Sequence, residues 1–454
     1  MSNSLFHEFD AVSAAQWKQK IQVDLKGADY NQTLVTATQE GINIKPFYHR
    51  ETFGTVQAVA TKTTKWKVTQ RIVVTNASAA NATIKNILKR GAESVVLHIT
   101  NDQISIAEVL VGVAVSTVPI HIEMDFLSVA YCADIHAFAK ENAASITLGV
   151  DVIGNLASKG NWFENLTSDH EAVAQILKFD GFRSVLTVNV NVYQNAGATM
   201  VQQLAYALAH VNEYLNHYGA NITNTITLNV TVGTHYFFEI SKLKALRQLW
   251  SVLAKEYNVH PECTIIASPS TRNKTLYDYN VNMLRTTTEC MSAVLGGADF
   301  IHNLPYDSLY HHANEFGDRI SRNQLRILKD ESYFDKTDNP TEGSYYIENI
   351  TQQLAEKALT LFKNIESNGG FLKQLKAGTI QRKIKESAAK EQTLFDEGKE
   401  ILLGTNRYPN PNDRMKNDLE ISPFPKKQAR KVLVAPILTK RLAAKLEQER
   451  LHNE

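Results

Sequence analysis

The segment VLTVNVNV (residues 185–192) alternates apolar and polar side chains, and MVQQLAYALAHVNEYL (200–215) repeats apolar residues at helical spacing. A period of two is typical of a β-strand, and a period near 3.6 is typical of an α-helix. The two segments therefore predict a strand that leads into a helix through a short turn at Gly197. In α/β enzymes such junctions often carry catalytic groups. Residues 189–200 nevertheless contain no His, Asp, Glu, Lys or Cys.

The same strand–helix alternation continues on both sides of this segment. Eight β-rich runs lie between residues 71 and 303: RIVVT, SVVLHIT, PIHIEM, SITLGVD, VLTVNVNV, ITLNVTV, CTIIAS and DFIHN. Eight strand–helix units in about 230 residues have the number and size of a (β/α)8 TIM barrel of the α/β class. An open doubly wound sheet is the alternative. If it bound a dinucleotide it would need a glycine-rich turn, but neither GxGxxG nor GxxxxGK occurs.

The predicted strands are unusual because they alternate, whereas parallel strands covered on both faces normally read as continuous apolar runs. Thr187, Asn189 and Asn191 share one face of their strand, and Leu186 and Val188 share the other. We expect the apolar face to pack on the outer helices and the polar face to line the barrel axis. The interior is then either a former channel for a polar ligand or an internal hydrogen-bond network. We favour the network as its present state.

The residues outside the barrel form two further regions. Residues 1–70 are predicted to be an extended N-terminal arm, because Pro46 excludes a helix at that point. The barrel itself is assigned to residues 71–335. Residues 336–454 are predicted to be a C-terminal helical extension, with two helices separated by Gly369 and Gly370 and a last helix over residues 437–454.

Composition excludes several classes of protein. The chain has 48 Lys and Arg against 47 Asp and Glu, so no long-range field attracts nucleic acid or an anionic membrane. Its most apolar stretch, residues 109–122, is too short for a membrane span and is interrupted by polar residues. The three cysteines lack metal-ligand spacing, and the N-terminus lacks a secretory pattern. We therefore expect a cytoplasmic protein that contacts neither nucleic acid nor membrane and binds no metal.

Several longer segments allow a comparison with one protein family. These are GTHYFFEISKLKALRQLW (233–250), RNKTLYDYNVNMLRTTTECMSAVLGGADF (272–300), DRISRNQLRILKDES (318–332) and DNPTEGSYYIENIT (338–351). Together they resemble the barrel domain of the methylmalonyl-CoA mutases, and the resemblance covers nearly the whole chain. It implies the fold of these mutases. Their catalytic members use adenosylcobalamin to interconvert methylmalonyl-CoA and succinyl-CoA through radicals.

The resemblance also implies what this chain lacks. Catalytic members bind cobalamin on a C-terminal domain through the His of a D-x-H-x-x-G motif, and no such motif occurs here. We therefore expect no cofactor on this chain alone and adenosylcobalamin on a partner subunit. The pattern resembles the small, non-catalytic subunit of the heterodimeric mutases. It implies a large catalytic mutase subunit as partner, an arm that wraps it, and self-association of the small subunit when alone.

Five degenerate positions support this interpretation. In catalytic members a Tyr-His pair precedes the Q-x-A-G-A segment, and the matching residues here are Asn191 and Val192. A second family Tyr, which covers the active site, is matched by Arg71. Two family arginines are matched by Thr69 and Thr225. The resemblance therefore implies no catalytic, cofactor-binding or metal-binding residues in this chain.

Other candidate groups have simpler interpretations. His98, His121, His235, His302, Glu123, Asp125 and Asp151 lie on or near predicted strand ends. A hydrogen-bonded structural network is favoured over a catalytic cluster for these groups, because their spacings match no ligand motif. Arg285 and Glu289 have the i, i+4 spacing of a helical ion pair. Two other functions remain open: an autonomous TIM-barrel enzyme acting on a different small polar or acyl-CoA ligand, and a regulatory binder of the mutase.

Overall fold

A computed structural model of the chain describes residues 8–52, 61–424 and 430–454. Its strands are β1 (Thr36–Ala37), β2 (Asn43–Ile44), β3 (Lys67–Val74), β4 (Ser94–Ile99), β5 (Ile120–Met124), β6 (Ile146–Val150), β7 (Ser184–Asn189), β8 (Ile226–Val232), β9 (Cys263–Pro269) and β10 (Phe300–His302). Strands β3 to β10 form a closed parallel barrel, in which β10 pairs with both β9 and β3. The predicted (β/α)8 TIM barrel is confirmed.

Helices surround the barrel and extend it at both ends of the chain. They are α1 (Ala14–Asp24), α2 (Tyr30–Leu34), α3 (Ala77–Lys89), α4 (Ile106–Leu110), α5 (Val129–Glu141), α6 (Val152–Lys159), α7 (Leu166–Ile176), α8 (Asn191–Asn195), α9 (Met200–Tyr218), α10 (Tyr236–Glu256), α11 (Val281–Leu295), α12 (Glu315–Arg326), α13 (Tyr345–Ser367), α14 (Gly370–Lys376), α15 (Thr379–Asp396) and α16 (Ala444–His452). Short 3-10 turns occupy Arg50–Thr52, Thr63–Lys65 and Gly219–Asn221, and Ile327–Glu331 is a π-helical turn. Within the described ranges, no helix combines the length and the apolar character needed to cross a bilayer.

The alternation of the strands determines which side chains face outward. In β8, Ile226, Leu228 and Val230 are buried in the large apolar core between sheet and helices. The intervening Thr227 and Asn229 are also buried but face the barrel interior, as their polar character predicts. Burial of one apolar Leu or Ile side chain contributes about 1.5–3 kcal/mol, so this pattern fixes the strand register.

Two strand boundaries differ from the prediction. The first barrel strand begins at Lys67, four residues before 71, because Lys67 pairs with Phe300 when the barrel closes. Strand β7 ends at Asn189, and Asn191 lies in α8 instead of on the polar strand face. The strand ends there because the chain turns into α8, where the N–H of Tyr193 donates to the carbonyl oxygen of Val190.

The prediction of an extended arm is only partly correct. The arm is non-helical at Pro46, but it also contains α1, α2 and the antiparallel pair β1–β2. Ile42, in the turn of this pair, is fully buried in the main core. The neighbouring Glu40 accepts hydrogen bonds from the N–H groups of Met200 (2.7 Å) and Val201 (2.8 Å). The carboxylate thereby caps the first turn of α9, where negative charge is favourable.

The C-terminal extension also differs from the prediction. Three helices, α13 to α15, replace the two expected, because Gly378 adopts φ +74 and breaks the second one. The last helix is shorter than predicted and begins at Ala444. Before it, the N–H groups of Ile437, Lys440 and Leu442 donate to the backbone carbonyls of Ala157 in α6, Asn195 in α8 and Arg272 after β9. These bonds replace helical ones, so residues 437–443 run along the barrel instead.

Candidate functional site

A cavity of about 190 Å³ lies at the carboxyl ends of the barrel strands, where TIM-barrel enzymes place their active sites. Most of the charged groups that the sequence placed near strand ends line it. They are Arg71 on β3, His98 on β4, Glu123 and Asp125 on and after β5, and Asp151 after β6, together with Asn189, Asn229 and Lys159. His121, His235 and His302 do not line it. We refer to this space as the upper cavity.

Arg71 and Glu123 form the central ion pair of the upper cavity. Both Nε and Nη2 of Arg71 donate to Oε2 of Glu123, at 3.2 and 3.0 Å, and Asn229 donates to Oε1 at 3.2 Å. Burial by itself raises the pKa of Glu123, but the His98 and Arg71 side chains outweigh burial and lower this pKa to about 2. The carboxylate is therefore ionised at neutral pH and holds Arg71 in place.

The depressed pKa of Glu123 makes stability depend on pH in a defined window. The favourable interactions of the carboxylate are complete above its ordinary pKa of 4.5 and are lost as the pH falls towards the folded value of about 2. Glu123→Gln should therefore flatten this part of the acid dependence. Urea unfolding measured at several pH values between these limits would show a smaller decrease in unfolding free energy for the variant. An identical decrease in both proteins would contradict the assignment.

The remaining charged groups of the upper cavity form a chain of contacts. His98 Nε2 lies 3.0 Å from Asp125 Oδ2, and Lys159 donates to Asp125 Oδ1 at 3.2 Å. Thr187 points its hydroxyl to the carbonyl oxygen of Leu148 at 3.1 Å. These bonds agree with the structural network favoured from the sequence. Sequence reasoning missed Lys159, which lies on the adjoining helix α6.

Asp151, whose side chain is 10% exposed, lines the upper cavity and organises a second hydrogen-bond network that extends from it towards α9. Its Oδ1 accepts from Tyr214 OH at 2.7 Å and lies 2.9 Å from His210 Nε2, and its Oδ2 accepts from the Asn189 N–H at 2.8 Å. The other His210 nitrogen contacts Tyr193 OH at 2.9 Å. Sequence reasoning missed these three aromatic partners. The i, i+4 spacing of His210 and Tyr214 on α9 is the signal that could have paired them.

Two of the degenerate positions, Asn191 and Val192, lie directly before Tyr193, and Thr69 and Arg71 lie on β3. Val192 is 8% exposed and belongs to the large apolar core. Neither Asn191 nor Val192 lines the upper cavity, whereas Arg71 does. Thr69 lies deeper, with its hydroxyl 2.6 Å from that of Ser94. The structure therefore brings only Arg71 of these residues into contact with the upper cavity.

A second cavity, of about 750 Å³, lies at the amino ends of the strands. We refer to it as the lower cavity. Lys67, Arg183, Thr225 and Phe300 are among its lining residues. Arg183 lies over the Phe300 ring at 5.4 Å, and the buried His121 ring meets the Phe300 ring edge-on at 4.3 Å. None of the described residues lines both cavities, and the contact between the Phe300 and His121 rings lies in the barrel interior between them.

One predicted ion pair is wrong. Glu289 pairs with Lys274, at 2.8 Å from Nζ to Oε2, instead of with Arg285. Arg285 donates to Thr275 and to the carbonyl oxygen of Leu403. The tertiary contacts prevail because Lys274 is fully buried and needs a carboxylate. Over the described ranges, no cluster of His, Cys, Asp and Glu has the arrangement of a metal site.

The sequence contains no D-x-H-x-x-G motif, the pattern that holds the cobalamin axial ligand in the mutases that the chain resembles. Its nearest approach to D-x-H-x-x-G is Asp134-Ile135-His136, which continues with Ala137, Phe138 and Ala139 and lacks the glycine. His136 lies within α5, stacks on Phe179 and has its Nε2 2.9 Å from Asp180. These residues therefore do not fit the group that the family motif holds.

Comparison with known proteins gives a consistent family. Residues 101–451 match the methylmalonyl-CoA mutase family. The chain is 33% identical over 444 residues to the methylmalonyl-CoA mutase small subunit of Porphyromonas gingivalis, covering 89% of this chain and 71% of that protein. It is 27% identical to the small subunit of Streptomyces virginiae, covering 89% and 72% of the two chains. The methylmalonyl-CoA mutase large subunit of P. gingivalis is 31% identical and covers 50% of this chain and 33% of its own length. The chain belongs to the methylmalonyl-CoA mutase family.

Proposed function

We propose that the chain is the small, non-catalytic subunit of a heterodimeric adenosylcobalamin-dependent methylmalonyl-CoA mutase. Its large subunit would carry the cofactor and interconvert methylmalonyl-CoA and succinyl-CoA. The observation that carries the proposal concerns the positions that match catalytic residues of the family. Val192 is buried in the core, and Arg71 is bound by Glu123. A Val side chain cannot donate a proton, and a neutralised Arg cannot replace a phenol.

The barrel interior supports the same proposal. A ligand that entered the lower cavity would have to pass through the barrel interior to reach the upper cavity at the carboxyl ends of the strands. Here the His121 and Phe300 rings lie in contact between the two cavities. Burial lowers the pKa of His121 to about 3, so this ring stays neutral and packs as an apolar group at physiological pH.

Two further observations support a large-subunit partner. Two relatives that each match 89% of this chain are named small subunits, and P. gingivalis has a separately named large subunit. The arm helix α1 buries none of its residues and exposes Trp17 and Val23. Exposed aromatic and aliphatic groups on one element are typical of an interface.

The direct test mixes the purified chain with a methylmalonyl-CoA mutase large subunit from the same organism. We expect a stable one-to-one complex by multi-angle light scattering. We also expect no turnover of methylmalonyl-CoA by the isolated chain with added adenosylcobalamin, since the sequence lacks the D-x-H-x-x-G motif and His136 is engaged by Asp180. Turnover by the isolated chain, or a monomer after mixing, would contradict the proposal.

An autonomous enzyme or acyl-CoA binder is the alternative, and the lower cavity favours it. Lys65, Lys67, Arg183 and Lys255 line this cavity of about 750 Å³, a size that admits a small-molecule ligand. Basic side chains of this kind bind phosphate groups. Isothermal titration with free CoA separates the two candidates: tight binding together with failure to associate with the large subunit would favour the alternative.

A further inference from the structure

Two residues that line the upper cavity, Asn189 and Asn229, each carry a buried side-chain oxygen that no other described residue satisfies. Asn229 is 7% exposed, and its Nδ2 donates to Glu123, which fixes the orientation of the amide. Its Oδ1 and the Oδ1 of Asn189 have no hydrogen-bond partner among the described residues. Buried polar atoms are nearly always satisfied, and the exceptions need an explanation. A bound molecule that donates hydrogen bonds is one such explanation.

A free donor lines the same cavity. Arg71 contacts Glu123 only through Nε and Nη2, so its Nη1 donates to no residue that the structure describes. A guanidinium can bind two carboxylates when both its edges are accessible. The side chain of Arg71 is 36% exposed, although it lies inside the barrel mouth, and it lines the cavity. Arg71 therefore retains capacity for a second anionic group.

Charges of both signs surround this small volume. Arg71 and Lys159 are the cationic lining residues, and Glu123, Asp125 and Asp151 are the anionic ones. Their neighbours lower the pKa values of all three carboxyl groups, which are therefore ionised at neutral pH. A simple anion would meet three carboxylates, and a simple cation would leave the Arg71 donor unused. A ligand with both charges satisfies both sets of groups.

We propose that the upper cavity binds a small zwitterion, such as an amino acid of about six non-hydrogen atoms, the number of water molecules that would fill this volume at liquid density. The ligand carboxylate lies towards Nη1 of Arg71. Its ammonium group donates to Oδ1 of Asn189 and Oδ1 of Asn229 and lies in the field of the carboxylates. The proposal is independent of the subunit role, because it concerns a cavity that either function leaves open.

The test is isothermal titration of the full chain with L-alanine and β-alanine, using propionate and propylamine as matched controls. Each control lacks one of the two charged groups. We expect saturable binding of at least one alanine isomer, with both controls weaker by about tenfold or more, because a missing charged hydrogen bond costs 1.5 kcal/mol or more. Propionate or propylamine binding as tightly as the better isomer would overturn the proposal, as would the absence of saturation by either isomer.

Two variants locate the site. Asn189→Leu removes an unpartnered acceptor at similar size, so we expect an unchanged melting temperature and about tenfold weaker binding. Thr187→Val is the control, because Thr187 lines the same cavity but uses its hydroxyl on the Leu148 carbonyl. Its binding should stay within about twofold of wild type, since a neutral hydrogen bond outside the ligand contributes little. Unchanged binding in Asn189→Leu would place the ligand elsewhere and overturn the proposal.

Discussion

Removal of residues 1–27 should weaken the complex with the large subunit by about a hundredfold or more, because interface aromatic side chains contribute 2 kcal/mol or more each. The deleted segment contains α1, which buries none of its residues and exposes Trp17 and Val23. It ends at a turn in which Gly27 adopts φ +96, and it leaves the N-cap Asp29 of α2 in place. Surface plasmon resonance with immobilised large subunit would measure the change.

Two controls separate binding from folding. Residues 1–45 include Ile42 and Glu40, so their removal should also destabilise the barrel by about 2–5 kcal/mol for the lost core side chain alone. The shorter deletion should leave the thermal unfolding of the isolated chain unchanged. Lys20→Met, on the same helix, removes only an ion pair with Asp24 whose side chains are 72% and 60% exposed. Affinity retained after deletion of residues 1–27 would remove the arm from the interface.

Glu289→Leu should lower the unfolding free energy by about 3–5 kcal/mol, because it leaves a buried ammonium group without its counter-charge. The side chains of Lys274 and Glu289 are 1% and 0% exposed, and Asn273 also donates to Glu289. Burial lowers the pKa of Lys274 and raises that of Glu289, so desolvation opposes the charged forms of both. Guanidinium unfolding of the variant measures the loss.

The double variant Lys274→Met/Glu289→Leu tests the cause. If the unpaired charge causes the loss, the double variant should recover most of it, since buried ion pairs are often replaceable by apolar residues of similar volume. Lys20→Met serves here as the exposed control and should change stability by less than about 0.5 kcal/mol. Additive losses in the double variant would show that packing, not charge, is the cause.

The barrel could be predicted from sequence because its signal is local. A run with a period of two, such as Ile226–Val232, indicates a strand and also which of its side chains face the core. All eight predicted strands appear in the structure. The arm helix Tyr30–Leu34 was missed because five residues carry too little periodicity. The stretch before α16 was misassigned because its backbone N–H groups donate to carbonyls of residues more than a hundred positions away in the chain.

Some members of the candidate site were predictable from the sequence, but their pairings were not. His98, Glu123 and Asp151 stand out as polar groups near strand ends. The partner of Asp151, His210, lies 59 residues away on α9, and the partner of Glu123, Arg71, lies two strands away in the barrel. Which charges meet across a barrel depends on strand stagger and side-chain rotamers, which no local pattern records. The same limit explains why Arg285 was paired with the wrong group.

The polar interior face has a consequence for the growing chain during synthesis. Lys67 pairs with Phe300, so the sheet stays open along one edge until the eighth strand has left the ribosome. An ordinary barrel of this type would expose a surface of Val, Ile and Leu during that interval and would be prone to aggregation. Here the exposed inner surface presents Thr69, Thr187 and Asn229. A partly synthesised barrel of this chain should therefore resist aggregation until the eighth strand closes it.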